Sequence, residues 1–324
     1  MLSILRVLVL AVVAVATSAA AAAGSYPEQP IHLVVNGAGG SLPDLFARPL
    51  ADKLRTILGQ PVVVENKPGA GGILAMRELQ VKPADGYTLA LVTNAHAVWN
   101  PYLFAQLQYD PRKDLRAVSP IATISMAMVV NKDFPANTLP EMVQWAKDNP
   151  GVLNYASSSV GSPPHVLFDL FKQQADVDVV HIPFRSGPDA MNATLAGDTH
   201  AYLVGTALVE PLLKDGRAKV LAVSPRIPEL ESLAKVPTFE DEGYKGFENG
   251  VWLGVVARKG TPDEVVQKLN KAIGEALAQE DTQRRFAASG SVVYYSSPEA
   301  FAKRIESDDA FWQPVLERSG IRLE

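Results

Sequence analysis

The residues with the most chemical capacity in this chain lie between Ile31 and Lys53, where the apolar run IHLVV breaks into Gly37-Ala38-Gly39-Gly40 and enters a helical pattern. Glycines let a backbone approach a ligand closely, and Ser41 with Asp44 forms an S-x-x-D helix opening. The first amides of such a helix have no intrahelical partner. With the positive end of the helix dipole they favour a carboxylate or a phosphate. A dinucleotide fingerprint needs a third glycine, but Gly37-x-Gly39 is followed by Leu42, and the similar Gly69-x-Gly71 by Leu74. No G-x-x-x-x-G-K-[ST] occurs either. The loop therefore predicts a seat for a small anion, with a purely structural strand-to-helix turn as the bland alternative.

A second loop has the same design. The run VLNYA leads into Ser157, Ser158, Ser159, Val160, Gly161, Ser162, Pro163, Pro164 and His165, then VLFDLFKQQ. Ser162 is the expected N-cap, Pro163 fits the first helical turn, and the serine hydroxyls are adaptable donors. Two such loops, far apart in sequence, suggest a cleft that closes on one ligand from both sides.

Composition sets limits on the alternatives. The chain has 324 residues, 47% hydrophobic and 20% charged, enough for two domains of ordinary size. It has no cysteine, which excludes disulfides, Cys-ligated metals, a cysteine nucleophile and a lipoprotein anchor. Net charge is −5, and no basic run or aromatic-basic interleaving suggests nucleic acid. Residues 1–23 read as a secretory signal: Arg6 in the n-region, Val7 to Ala16 as the apolar core, and Ala21-x-Ala23 as the cleavage site. Losing Arg6 with that segment leaves 29 basic and 35 acidic residues, net −6.

Apolar runs alternate with helical patterns along the whole chain, which predicts an α/β protein. Expected strands are Val62–Glu65, Tyr87–Thr93, Ile121–Val130, Val152–Tyr155, Val177–His181, Ala201–Val204, Val220–Val223, Trp252–Ala257 and Val292–Tyr295, besides IHLVV. Thr138-Leu139-Pro140-Glu141, Thr261-Pro262-Asp263-Glu264 and Ser296-Ser297-Pro298-Glu299 read as capping boxes with proline in the first turn.

An enzyme is the competing class, using a serine of 157–162 with His165 and a carboxylate. No G-x-S-x-G elbow is present, since Pro43 follows Ser41 and Val160 and Pro164 flank Ser162. His32, His96, His165, His181 and His200 are scattered without H-x-x-x-H spacing, so no metal site is expected, and His32 and His181 read as satisfied core residues.

Across essentially all of the chain after the signal, the motifs resemble a Bug-type solute receptor of the tripartite tricarboxylate transporters. They are Val34-Val35-Asn36 through Asp44-Leu45-Phe46-Ala47-Arg48, QPVVVENKPGAGG, DGYTL, LNYASSSVGSPPH, VHIPFRSG, KDGRAKVLAVS, VPTFEDEG, GFE and the Trp252 strand leading to RKGTP. The resemblance implies a two-lobed Venus-flytrap fold, each lobe an open mixed α/β sheet. One lobe would take residues 24–130 and 252–324 and the other 131–251, with crossings near Val130 and Trp252.

It further implies a small carboxylate held by Asn36, Gly37, Ala38, Gly39, Gly40, Ser41 and Asp44, by Thr93 and Asn94, and by Ser157, Ser158, Ser159, Gly161 and Ser162, with His165 and Arg185 at the edges. No cofactor is implied. The implied setting is a periplasmic monomer that passes its ligand to a membrane permease, with a signalling partner as the alternative. Relatives commonly have Pro-Phe at Asn36-Gly37, Gly-Ser-Thr at Ser41-Leu42-Pro43, Lys at Arg185 and Asp at Val204. These departures favour an acid without an ammonium group.

Overall fold

A computed structural model describes residues 26–248 and 250–324; the expected signal at 1–23 lies outside the described residues. The strands are β1 (Ile31–Val35), β2 (Val62–Asn66), β3 (Thr88–Thr93), β4 (Leu115–Ile124), β5 (Met126–Asn131), β6 (Asn154–Ser157), β7 (Val180–Pro183), β8 (Ala201–Gly205), β9 (Ala218–Ser224), β10 (Val251–Arg258) and β11 (Ser291–Val293). They form two mixed sheets, ordered β11-β4-β10-β3-β1-β2 and β7-β6-β8-β5-β9. The longer helices are α1 (Leu42–Leu58), α2 (Ile73–Val81), α3 (Leu139–Asp148), α4 (Pro163–Ala175), α5 (Gly187–Ala196), α6 (Asp263–Leu277), α7 (Glu280–Ala288) and α8 (Pro298–Ser319).

The registers fix where the loops meet. In the first sheet β1 runs parallel to β3, Val35 opposite Leu91, and β3 is antiparallel to β10, Leu253 opposite Thr93. Val251 in turn lies opposite Ile124. The carboxyl ends of β1, β3 and β4 therefore share one edge. In the second sheet Met126 lies opposite both Gly205 and Ser224, and parallel pairing aligns Ser157 with Pro183. The carboxyl ends of β6, β7, β8 and β9 thus share the edge where β5 begins. Only Ser125 separates β4 from β5, so the two edges adjoin, and loops leaving both lobes open toward the same space, the usual ligand position in open α/β sheets.

The first crossing falls at Ser125, not near Val130, because the expected strand Ile121–Val130 is two strands in different sheets. The Ser125 amide donates to Gly290 O at 2.9 Å, and its carbonyl accepts from Thr206 N at 2.9 Å, so this residue bonds to both lobes. Expected strand starts at Val152 and Val177 also shift. Val152 N closes a turn on Asn149 O, and Asp176, at φ 51°, ends α4 with Val177 N bonded to Lys172 O. At the helix starts, Thr138 caps α3 through Glu141 N as expected. Ser297 rather than Ser296 caps α8, and α6 begins at Asp263 while Thr261 Oγ1 donates to Arg258 O.

One apolar core runs from β1, β3 and β10 through Trp99 and Trp312 to Phe168, Phe171 and Phe239 beside the second sheet. Trp99 and Trp312 meet edge to face at 5.0 Å. Helix α8 carries Trp312 and spans both lobes: farther along it, Val315 O accepts from Gln173 Nε2 of α4 at 3.1 Å. Toward its start, the fully buried Trp252 indole of β10 donates to Asp308 Oδ2 at 2.6 Å. Asp308→Ala leaves that indole N–H without an acceptor, and we expect a loss of about 2–3 kcal/mol in urea unfolding, with the secondary structure retained.

Candidate functional site

The glycine loop after β1 is held open from behind. Asp44, 2% exposed, accepts from Gly40 N at 2.8 Å and Arg48 Nε at 2.8 Å through Oδ2, and from Asn66 Nδ2 at 3.0 Å through Oδ1. Asn66 Nδ2 also donates to Gly37 O at 2.8 Å. The Arg48 bond, then those from Gly40 and Asn66, outweigh desolvation and lower the Asp44 pKa to about 2. Asp44 is therefore a positioning residue, and the Gly40 amide is already used. The amides of Gly37, Ala38 and Gly39 have no partner among the described residues. Ser41 caps α1 by backbone position only; its buried hydroxyl is unpaired, against the capping box expected from S-x-x-D. A Cβ on Gly37 would lie 2.1 Å from that hydroxyl, so a side chain there requires Ser41 to turn its hydroxyl away.

Thr93 and Asn94 follow β3. Thr93 N donates to His96 Nδ1 at 3.1 Å, with Thr93 Oγ1 at 3.0 Å from the same nitrogen. Asn94 is fully buried and donates to Gly250 O at 3.0 Å. Its Nδ2 ties β3 to the return crossing, while its Oδ1 is buried without a partner. The Asn36 carboxamide lies 2.7 Å from His96 Nε2, and a Cβ on Gly72 would lie 2.1 Å from that nitrogen. His96, Asn66 and Gly72 were not among the expected site residues. The second GAGG stretch, which fails as a nucleotide motif but closes the family-like run QPVVVENKPGAGG, is the signal that could have found Asn66 and Gly72.

In the second lobe Ser157 is buried, its Oγ 2.6 Å from His181 Nε2 and 2.9 Å from Ser159 O. Ser162 Oγ donates to Ser159 O at 2.7 Å and makes no side-chain cap. Instead His165 Nδ1 accepts from Gly161 N at 3.0 Å, which places its proton on Nε2. Pro163 and Pro164 remove two amide donors from the α4 terminus, so this cradle offers fewer backbone donors than the first. Its open groups are the Ser158 and Ser159 hydroxyls, the Ser159 and Val160 amides, and Arg185, which is exposed with no partner among the described residues. Gly161 packs where a Cβ would be 2.7 Å from Leu323, which pairs with Phe104 of the first lobe.

The hydrolase expectation does not assemble. His165 is spent on Gly161 N, and Ser157 meets His181 instead. His181 stacks on His165 at 3.6 Å between ring centres and is half-buried, while His32 is part-exposed and bonded to Glu65 at 2.6 Å, so neither is the core residue expected.

A family model described as "Tripartite tricarboxylate transporter family receptor" matches residues 46–321. The chain belongs to this family. It is similar to the protein BugT of Bordetella pertussis, 30% identical over 306 residues, covering 94% of this chain and 93% of that one. Among solved structures it is similar to R. palustris Rpa4515 with adipate, TM-score 0.79, 29% identity, covering 92% of this chain and 100% of that one. It is also similar to MatC of Rhodopseudomonas palustris with bound malate, TM-score 0.75, 30% identity, covering 90% and 100%. It has the two-lobed periplasmic-binding-protein fold, as in the similar structure of periplasmic binding protein BugD, TM-score 0.76, 30% identity, covering 92% and 100%. Among the described residues no helix is long and apolar enough to cross a membrane.

Burial makes this receptor acid-sensitive. Desolvation lowers His96 and His181 to about 4 and His165, with help from His181, to about 3. The unfolded chain takes up these protons first, near 6.5, so their stabilisation is complete above that pH and lost as pH falls toward 4. Asp44 adds a further loss below its unfolded value as pH falls toward 2. Urea unfolding from pH 7.5 to 4 should therefore show falling stability, and His96→Gln should reduce the slope by up to one proton.

Proposed function

We propose that this protein is an extracytoplasmic receptor that captures a small carboxylate between its lobes and presents it to a membrane permease of the tripartite tricarboxylate type. The observation that carries this reading is the set of unpartnered donors at adjoining strand edges: the Gly37, Ala38 and Gly39 amides on one lobe, and the Ser158 and Ser159 hydroxyls on the other. Arg185 adds a mobile-length cation at the rim that can grip a carboxylate through two N–H groups. The adipate and malate in the titles of two similar structures support the ligand class. Val204, buried in β8, supplies no anion for an ammonium group, which favours simple acids over amino acids.

Residues 1–23 export the chain and are removed after Ala23, and the receptor works as a monomer with no cofactor. Family membership supports the permease as partner.

Refolded protein, freed of carried-over ligand, should be stabilised by di- or tricarboxylates but not by nucleotides or amino acids. Saturation at about 100 times Kd adds about 2.7 kcal/mol, visible as a thermal shift. Gly39 is exposed and its backbone lies outside the left-handed region, so Gly39→Asp should fold normally. Its new carboxylate would occupy or repel the anion position. We expect at least a tenfold loss of affinity by calorimetry; unchanged affinity would remove the glycine loop from the site.

A further inference from the structure

His96 sits where its two ring nitrogens receive opposite instructions. On one side Nδ1 faces Thr93 N, a backbone amide that can only donate, at 3.1 Å, and Thr93 Oγ1, a hydroxyl that can take either role, at 3.0 Å. The ring is 3% exposed, and burial keeps it neutral, so one nitrogen carries the single proton. With Nδ1 accepting, that proton is on Nε2. The Asn36 carboxamide, 2.7 Å away, is placed with Nδ2 toward Nε2 and with Oδ1 turned away, buried and unpaired. An NH2 group there would set donor against donor, whereas the carboxamide oxygen accepts. The two ends of a carboxamide have the same shape, so this network alone decides the orientation.

We propose that His96 is a positioning residue that fixes the Asn36 carboxamide with its oxygen toward the ring and its NH2 free, making Asn36 a neutral double donor to a ligand carboxylate at the root of the glycine loop. Three further observations fit. Asn36 Oδ1, turned away from the ring, is buried without a donor, and turning the carboxamide over gives that oxygen the Nε2–H and leaves the NH2 in the open position. The Ser41 hydroxyl, at the other end of the same loop, is likewise buried and unpaired. Gly72, at φ 88°, leaves space for the ring that any Cβ would fill, so the second glycine stretch seats the histidine that orients the first.

The inference rests on the carboxylate reading above, and its test separates the two. Long-range 1H–15N imidazole spectra of the unliganded protein report the His96 tautomer, assigned by the signal lost in His96→Gln. Calorimetry with malate and adipate then compares variants. Asn36→Asp still accepts from Nε2–H but offers no donor and adds a negative charge. We expect the Nε2–H tautomer and a loss of about thirtyfold or more in Asn36→Asp. His96→Gln can place its own NH2 toward Asn36 and should bind more tightly than His96→Leu by about fivefold or more, with folding checked by circular dichroism. An Nδ1–H tautomer, equal affinity of the Gln and Leu variants, or full affinity in Asn36→Asp would each overturn this inference while leaving the receptor reading intact. A wild-type protein of the expected tautomer that binds neither acid, nor any other carboxylate, would instead overturn the receptor reading and with it the donor role.

Discussion

The juncture at Ser125 is the constraint on which the remaining architecture depends. A single residue separates β4 in one sheet from β5 in the other, and its amide and carbonyl are bonded to Gly290 and Thr206 on opposite lobes. Antiparallel pairing on either side then leaves no choice about direction: the strands that run parallel within each lobe must end at this edge. Gly290, at φ 68°, approaches so closely that a Cβ would lie 2.6 Å from Ala207 N. The close contact of the lobes at this point and the convergence of their loops are thus one geometric fact.

Within that frame the first lobe spends charge on structure and keeps neutral dipoles for recognition. The Asp44 carboxylate and Arg48 guanidinium satisfy each other beneath the loop, while the groups left over are amides and a hydroxyl. A fixed anion this close to an anion seat would oppose binding unless its charge were compensated, and Arg48 together with the Asn66 amide does so. The second lobe reaches a similar end differently. Two prolines strip its helix of donors, and His165 holds the Gly161 backbone so that serines and the Arg185 side chain remain.

Much of this was legible in the chain. IHLVV followed by glycines and S-x-x-D located β1, the loop and α1, and Thr138 located α3, because those signals are local. Ser125 was not legible, since an unbroken apolar run reads as one strand whichever sheet each half joins. Asp44 and Ser157 carry side chains suited to ligands, and only burial and partners reveal that they are already committed, as is the Nδ2 of Asn94. His96 was passed over for the converse reason: its role depends on Asn36, 60 positions away, and on space left by Gly72.

Helix α8 has 22 residues, about 33 Å of nearly inextensible rod, and it touches both lobes. Where it leaves the first lobe, the Phe311 ring rests against Gly246, close enough that a Cβ there would lie 2.2 Å from it. The neighbouring Lys245 is clamped to α4 of the second lobe by two bonds with Gln174. That contact joins α8 to the second lobe beside the bond from Gln173 to Val315 O. The absence of a side chain at position 246 therefore lets α8 seat closely against the second lobe, through residues other than those that form the glycine loop.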